Sequence, residues 1–160
     1  IFYTKFEEYM GDLYRRFLSE IVSPAFSVEK GSLVYQKVPT FRVHMVENLG
    51  VGEFHRDSDY NHSSYELNIW LPFTDTYDTN TVWIHTNGDE FPPVPISVKY
   101  GQAMVFNGAD FLHGNYINKT LDTRVSIDFR ICSFSDFVPT EKATLNTKKS
   151  MSIGGYFERI

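Results

Sequence analysis

Apolar residues recur at spacings of three and four over the opening stretch: Phe2, Phe6, Tyr9, Met10, Leu13, Phe17 and Ile21. Charged Lys5, Glu8, Arg15 and Arg16 fall largely between them. That is the period of a helix with one apolar face. Pro24 follows the last periodic residue, where a helix is expected to stop. The spacing predicts a helix over 1–23 that covers one face of a sheet. Further on, the pattern changes to short apolar or alternating runs at 33–36, 41–47, 52–56, 65–72, 81–86, 103–106, 112–117 and 123–133. Gly, Pro, Asn and Asp punctuate them, as in Asn48-Leu49-Gly50, Asn87-Gly88-Asp89 and Pro92-Pro93-Val94-Pro95. A mostly β fold of two sheets is expected, and a jelly roll fits the number of strands. The β core spans 32–134, and 135–160 reads as a polar tail or flap of the same single domain, 1–160.

Alternation within three of these runs separates unlike faces, because successive side chains on a strand point to opposite sides. Val125, Ile127 and Phe129 oppose Arg124, Ser126, Asp128 and Arg130. Leu67, Ile69 and Leu71 oppose Glu66, Asn68 and Trp70, while Phe41, Val43 and Met45 oppose Arg42 and His44. Each polar face could meet water, as one side of an antiparallel sheet commonly does. Alternatively, the polar faces could line a ligand-holding cavity inside a barrel.

Composition narrows the function classes. The formal charge is −5 with no run of Lys or Arg, so there is no electrostatic footprint for nucleic acid. Apolar runs are too short to span a membrane. The single cysteine, Cys132, excludes an intramolecular disulfide or a cysteine-based zinc site, and is expected in the core. Asn61-His62-Ser63 and Asn118-Lys119-Thr120 are glycosylation sequons that matter only in a secretory compartment. The chain opens on Ile1 rather than Met, so we expect its start to be trimmed. A cytoplasmic protein acting on a small molecule is the expectation, with no indication of oligomeric state.

Three short segments carry candidate chemistry. In Phe54-His55-Arg56-Asp57, residues i and i+2 of an extended strand point the same way, so His55 and Asp57 can reach one metal. His113-Gly114 follows an apolar strand and offers a second imidazole where the backbone permits close approach. Two histidines and one carboxylate form a facial triad that leaves positions on Fe(II) open. Eleven residues after His113, Arg124 and Ser126 share a strand face, a guanidinium fork plus a hydroxyl suited to one end of a dicarboxylate. Each motif alone is more often structural; the ordered set is what points to a site. His62 and His85 are the competing histidines, and neither is expected to bind metal.

The stretch from about Phe41 to Phe134 resembles the Fe(II)- and 2-oxoglutarate-dependent oxygenases, near their phytanoyl-CoA-hydroxylase-like branch. The resemblance rests on Glu66–Asp75, Asn80–Ile84, Gly101 through His113-Gly114, Asn118 and Arg124-x-Ser126. His55–Tyr60 and Asp78–Thr81 also resemble the oxygenase-like streptomycin-biosynthesis protein family. The resemblance implies a double-stranded β-helix (jelly roll, cupin-like) with the N-terminal helix packed on one sheet. It implies that His55, Asp57 and His113 bind Fe(II), that Arg124 and Ser126 hold the distal carboxylate of 2-oxoglutarate, and that Asn68 supports the cosubstrate. O2 would then drive decarboxylation to succinate and CO2 with oxidation of a small polar, sugar-like or amino-acid-like substrate. Because Asp57 is present where related halogenases have a small residue, the resemblance implies hydroxylation, or a desaturation or ring closure by the same oxidising chemistry, over halogenation. Arg42, His44, Asp59 and Trp70 are the expected substrate contacts. A cupin-type metalloenzyme with a His-x-His pair does not fit, since no such pair occurs. A non-catalytic jelly-roll binding module with a degenerate site, or a protein side-chain hydroxylase, are the alternatives.

Overall fold

The computed structural model describes residues 2–29, 31–50, 52–145 and 147–160, so Ile1, the first residue of the expected helix, lies outside them. Helix α1, Phe2–Phe17, runs on through a π-helical turn, Leu18–Val22, and a last turn, Ser23–Ala25. Among the described residues nine strands follow: β1 Leu33–Gln36, β2 Thr40–His44, β3 Leu67–Pro72, β4 Val82–Ile84, β5 Val94–Ile96, β6 Met104–Phe106, β7 His113–Gly114, β8 Arg124–Ser133 and β9 Phe157–Arg159. They belong to two compact units, one made of the residues up to Pro39 with Phe129–Ile160, the other of Thr40–Asp128. No described helix is long and apolar enough to cross a membrane.

In the first unit, α1 packs on β1 and the second half of β8. Tyr14 is the anchor. Its ring meets Tyr35 and Phe129 edge-on, and its hydroxyl donates to the Gln36 carbonyl at 3.0 Å. Phe6, Tyr14, Leu18 and Val22 are buried, whereas Tyr9, Met10, Leu13 and Ile21 of the expected face are exposed. The helix carries two adjacent apolar stripes, and periodicity alone does not say which turns inward. The wider π turn also swings Ile21 off the buried line and keeps Val22 on it. Pro24 does not stop the helix at 23. Ser23 closes the π turn by donating to the Leu18 carbonyl, and Pro24 opens the next turn, where its missing N–H is not needed. The tail ends in β9, paired antiparallel with β1 through Val34–Arg159, Tyr35–Glu158 and Gln36–Phe157. Cys132 is buried, as expected for a small core residue.

In the second unit, β6, β3, the first half of β8 and β2 pair in that order, and β5, β4 and β7 form a smaller sheet. Its apolar core is built on Trp70, Val82, Ile84 and Val98, flanked by Ile96, Met104 and Phe106. Strand β5 occupies what the prolines marked as a break. It pairs with β4 alone, with Pro95 opposite Trp83, and an edge strand tolerates a missing donor. The expected strand at 52–56 is reduced to one bridge at His55.

The polar face of β8 is buried along with its apolar one, and β2 buries His44. In register, His44 lies opposite Arg124, Arg42 opposite Ser126 and Thr40 opposite Asp128. His44, Arg124, Ser126 and Asp128 are buried, while Val43 and Met45 on the opposite side are exposed. Of the two readings open for these faces, water is therefore excluded for β8 and for His44. An inward-facing polar row is costly unless its groups find partners.

The helix orientation makes a direct prediction. Leu18→Ala, at 0% exposure, should destabilise by about 2–5 kcal/mol. Leu13→Ala, at 57% exposure, should stay within about 0.5 kcal/mol of the parent. Denaturant unfolding of both variants checks which stripe faces in.

Candidate metal centre

Three ligand atoms converge within the second unit. One nitrogen each of His55 and His113 and one oxygen of Asp57 lie within 4.8 Å of one another. His55 Nε2 stands 3.6 Å and His113 Nε2 3.9 Å from Asp57 Oδ1. Ligands about 2.1 Å from one first-row ion stand roughly 3–3.5 Å apart, so a small inward movement closes the set. No other cluster of this kind exists among the described residues.

The backbone brings the histidines together. His55 and His113 form a bridge and exchange both N–H···O bonds, at 2.9 and 3.0 Å. Their rings lie 4.6 Å apart. His113 sits on β7 opposite Ile84, which ties the pair to the smaller sheet. Gly114 is required by contact: a Cβ there would fall 2.8 Å from the Phe54 Cα. Asp57 does not continue a strand from His55. Arg56 is extended, and Asp57 opens a 3-10 turn, Asp57–Tyr60, which aims its carboxylate back at the imidazoles.

Hydrogen bonds fix the tautomers. His55 Nδ1 lies 2.7 Å from the Glu53 carbonyl, and His113 Nδ1 lies 2.9 Å from the Phe111 carbonyl. A carbonyl only accepts, so each Nδ1 carries the proton, and in the neutral ring Nε2 keeps its lone pair for a metal. The Asp57 carboxylate holds the His55 imidazole above its ordinary value, the Glu53 carbonyl adding to this against the effect of burial.

Arg124 lies in the same unit, 2% exposed, and no carboxylate of the described residues forms a salt bridge with it. Both of its hydrogen bonds use Nη1, which donates to the Asn80 carbonyl and to Asn115 Oδ1, each at 2.9 Å. Its guanidinium lies 5.3 Å from the Trp70 ring centre. Arg124 Nε and the Ser126 hydroxyl are buried without a partner. Burial, with the neighbouring charge of Arg42, pulls the Arg124 guanidinium down to about 10. Arg124 thus keeps donor capacity on a buried guanidinium, a group whose geometry suits a carboxylate.

The remaining expected residues fall in varied places. Asn68 turns its amide to Asp57, donating from Nδ2 to Oδ2 at 2.6 Å. Arg42 is engaged by Asp128, at 2.5 Å from Nε and 3.4 Å from Nη2. His44 is buried and its pKa is lowered, by burial first and then by Arg124; its Nε2 donates to the Asn48 carbonyl at 2.8 Å. Asp59 accepts the Arg56 N–H at 3.0 Å and so caps the 3-10 turn. Trp70 lies beneath the Arg124 guanidinium. His62 is taken up by the buried Glu66 carboxylate at 2.6 Å, and His85 meets Phe54 edge-on. Asn80, Asn115, Gly108 and Asp128 were not singled out as site residues; they act across strands and loops, where local spacing carries no signal.

No protein-family model matches the chain. It is 33% identical over 157 residues to the streptomycin biosynthesis protein StrG of Streptomyces griseus, spanning 92% of this chain and 75% of that protein. The non-heme monooxygenase ThoJ, in its nickel complex, is similar with a TM-score of 0.57 and 22% identity, over 72% of this chain and 51% of that one. This chain thus spans about half of that neighbour's length. The non-heme alpha-ketoglutarate-dependent epimerase SnoN from nogalamycin biosynthesis is similar with a TM-score of 0.57 and 18% identity, over 92% of this chain and 72% of that one. At such identities these two likenesses speak to the fold.

The geometry predicts that Ala at His55, Asp57 or His113 abolishes divalent metal binding, whereas His62→Ala and His85→Ala retain it. Full occupancy in His113→Ala would contradict this. A proton on His55 Nε2 competes with the metal. Affinity should therefore be full at high pH and fall as pH drops through the raised His55 value, starting above the ordinary 6.5. Calorimetric Mn(II) titrations at a series of pH values test the direction.

Proposed function

The chain belongs to the family of the streptomycin biosynthesis protein StrG, and from that premise we propose that it is a non-haem Fe(II)- and 2-oxoglutarate-dependent oxygenase that hydroxylates a small polar metabolite. Within the oxygenases we place it near the phytanoyl-CoA-hydroxylase-like branch, with the two sheets of Thr40–Asp128 as the faces of a double-stranded β-helix. The donor set fits iron: two imidazoles whose Nδ1 protons go to carbonyls, so that Nε2 can act as a donor, and one carboxylate, a combination that leaves coordination positions for other ligands. His55, Asp57 and His113 would hold the ion. When bound, iron with 2-oxoglutarate and O2 supplies the oxidising chemistry, with release of succinate and CO2.

The observation that carries the cosubstrate assignment is Arg124, a buried cation that no carboxylate of the described residues engages in a salt bridge and whose Nε has no hydrogen-bond partner. An uncompensated buried charge is strongly unfavourable, so its position here makes sense as half of a salt bridge completed by a ligand. The Asn80 carbonyl and Asn115 occupy one nitrogen and orient the fork, and Trp70 supports its face. The open Nε edge and the Ser126 hydroxyl are left for the distal carboxylate. Asp128 is the nearby competitor for Arg124, and Arg42 engages it instead. An intact triad together with this open cradle favours an enzyme over a binding module with a degenerate site. Hydroxylation is favoured over halogenation because the Asp57 carboxylate is held at the triad. A small, sugar-like or amino-acid-like substrate fits a relative named for streptomycin biosynthesis.

Arg124→Ala should weaken 2-oxoglutarate binding at least roughly tenfold, since a charge-assisted bond contributes about 1.5–3 kcal/mol. Arg124→Lys should weaken it less, replacing a fork by a point charge. Both should still bind Fe(II). Titration of 2-oxoglutarate against the metal-to-ligand absorption band under argon reads this. Arg124→Met should raise the unfolding midpoint of the ligand-free protein while losing the cosubstrate, because it removes a buried unpaired charge. Unchanged 2-oxoglutarate affinity in Arg124→Ala would overturn the assignment.

A further inference from the structure

Asp57 uses its two oxygens differently. Oδ1 faces both imidazoles, at 3.6 and 3.9 Å. Oδ2 accepts from Asn68 Nδ2 at 2.6 Å, in a buried contact between the 3-10 turn and β3. A third element closes over this bond. Gly108 is buried, and a Cβ there would stand 2.5 Å from Asn68 Nδ2 and 2.7 Å from Asp57 Oδ2. Gly108 is not among the glycines with positive φ, so its backbone conformation does not call for glycine. What calls for it is the space occupied by the Asn68–Asp57 bond.

The Gly108 loop is itself braced. Its carbonyl accepts the Asp57 N–H at 2.8 Å, and the Ser58 hydroxyl donates to the Ala109 carbonyl at 2.9 Å. Asn107 holds the turn from within, accepting the Ala109 N–H at 3.0 Å and donating to the Ser64 carbonyl at 2.9 Å. Turn, loop and strand thus converge on one carboxylate oxygen, the one turned away from the imidazoles.

We propose that Asn68 and Gly108 are positioning residues that make Asp57 a one-oxygen ligand. This deepens the oxygenase reading and rests on its metal site. Hydrogen-bonded to Asn68, Oδ2 is kept off the metal. Three protein donors then leave enough positions for a two-oxygen chelate by the 2-oxo acid and one more for O2. Released, the carboxylate could close on the ion with both oxygens and take one of those positions. Asn68 is therefore assigned to Asp57 rather than to direct contact with the cosubstrate. Partners of this kind, one step out from the ligands, set metal affinity and ligand orientation.

The test uses the full chain with Mn(II) alone, so that no cosubstrate or turnover enters. Water-proton relaxation counts the exchangeable waters on the bound ion, and calorimetry gives its affinity. Asn68→Leu removes the donor at similar volume. Gly108→Ala keeps Asn68 but drives it off Oδ2, and provides a second route if Asn68→Leu does not fold. We expect each folded variant to carry fewer exchangeable waters than the parent, with Mn(II) affinity changed by about 10–100-fold. A merely structural role would alter stability but leave the water count alone. Variants with the parent's water count and affinity would overturn the assignment of Asn68 and Gly108 while leaving the metal site standing. Failure of the parent to bind Mn(II) would instead overturn the oxygenase reading, and this proposal with it.

Discussion

Two backbone hydrogen bonds between His55 and His113 hold the candidate site together. The segment before Asp57 forms no strand of its own, so this reciprocal pair is what registers it against β7. Once the pair is made, both side chains project together, and their Nδ1 protons go to carbonyls two residues back. The chain then turns sharply into the 3-10 helix, and Asp57 is delivered to the same point. Each candidate ligand is thereby placed by main-chain geometry, which would limit the ordering that metal binding must impose.

In the same unit, polar side chains are buried alongside apolar ones. Strand β8 buries Arg124, Ser126 and Asp128 as well as Ile127, and β2 buries His44 while leaving Val43 exposed. Asp128 and Arg42 neutralise one another, whereas Arg124 has only neutral acceptors. A fold that carries an unmatched buried cation gives up stability, and such concessions gather at functional sites. The proposed cosubstrate cradle rests on two buried polar groups of this face that have no hydrogen-bond partner among the described residues, Arg124 Nε and the Ser126 hydroxyl.

The parts of this arrangement legible in the sequence were those with a short-range signature. His55 and Asp57 at i and i+2, His113 before Gly114, and Arg124 with Ser126 could all be picked out by spacing. The route by which Asp57 reaches the metal could not, because a 3-10 turn replaces the extended strand that spacing assumes. The helix was legible, but its inward stripe was not. Tyr14 wins that position through a hydroxyl bonded to Gln36, a contact made across the fold. Strand β5 was hidden by its prolines, which an edge position accommodates, and β9 by a polar tail that supplies one buried phenylalanine, Phe157. Asn80, Asn115 and Gly108 stayed invisible because their meaning lies in distant partners. Glycine at 108 is explained only once the Asn68–Asp57 bond is seen beneath it.

The central proposal is that the Thr40–Asp128 unit holds a metal at His55, Asp57 and His113 and a dicarboxylate at Arg124. A crystal structure of the protein with Mn(II) and 2-oxoglutarate, prepared without oxygen, tests it most directly. The account predicts an ion bound by the three side chains, chelated by the 2-oxo acid end, with the far carboxylate against Arg124 Nε and the Ser126 hydroxyl. An ion elsewhere, or a 2-oxoglutarate whose distal carboxylate leaves Arg124 unpaired, would contradict it.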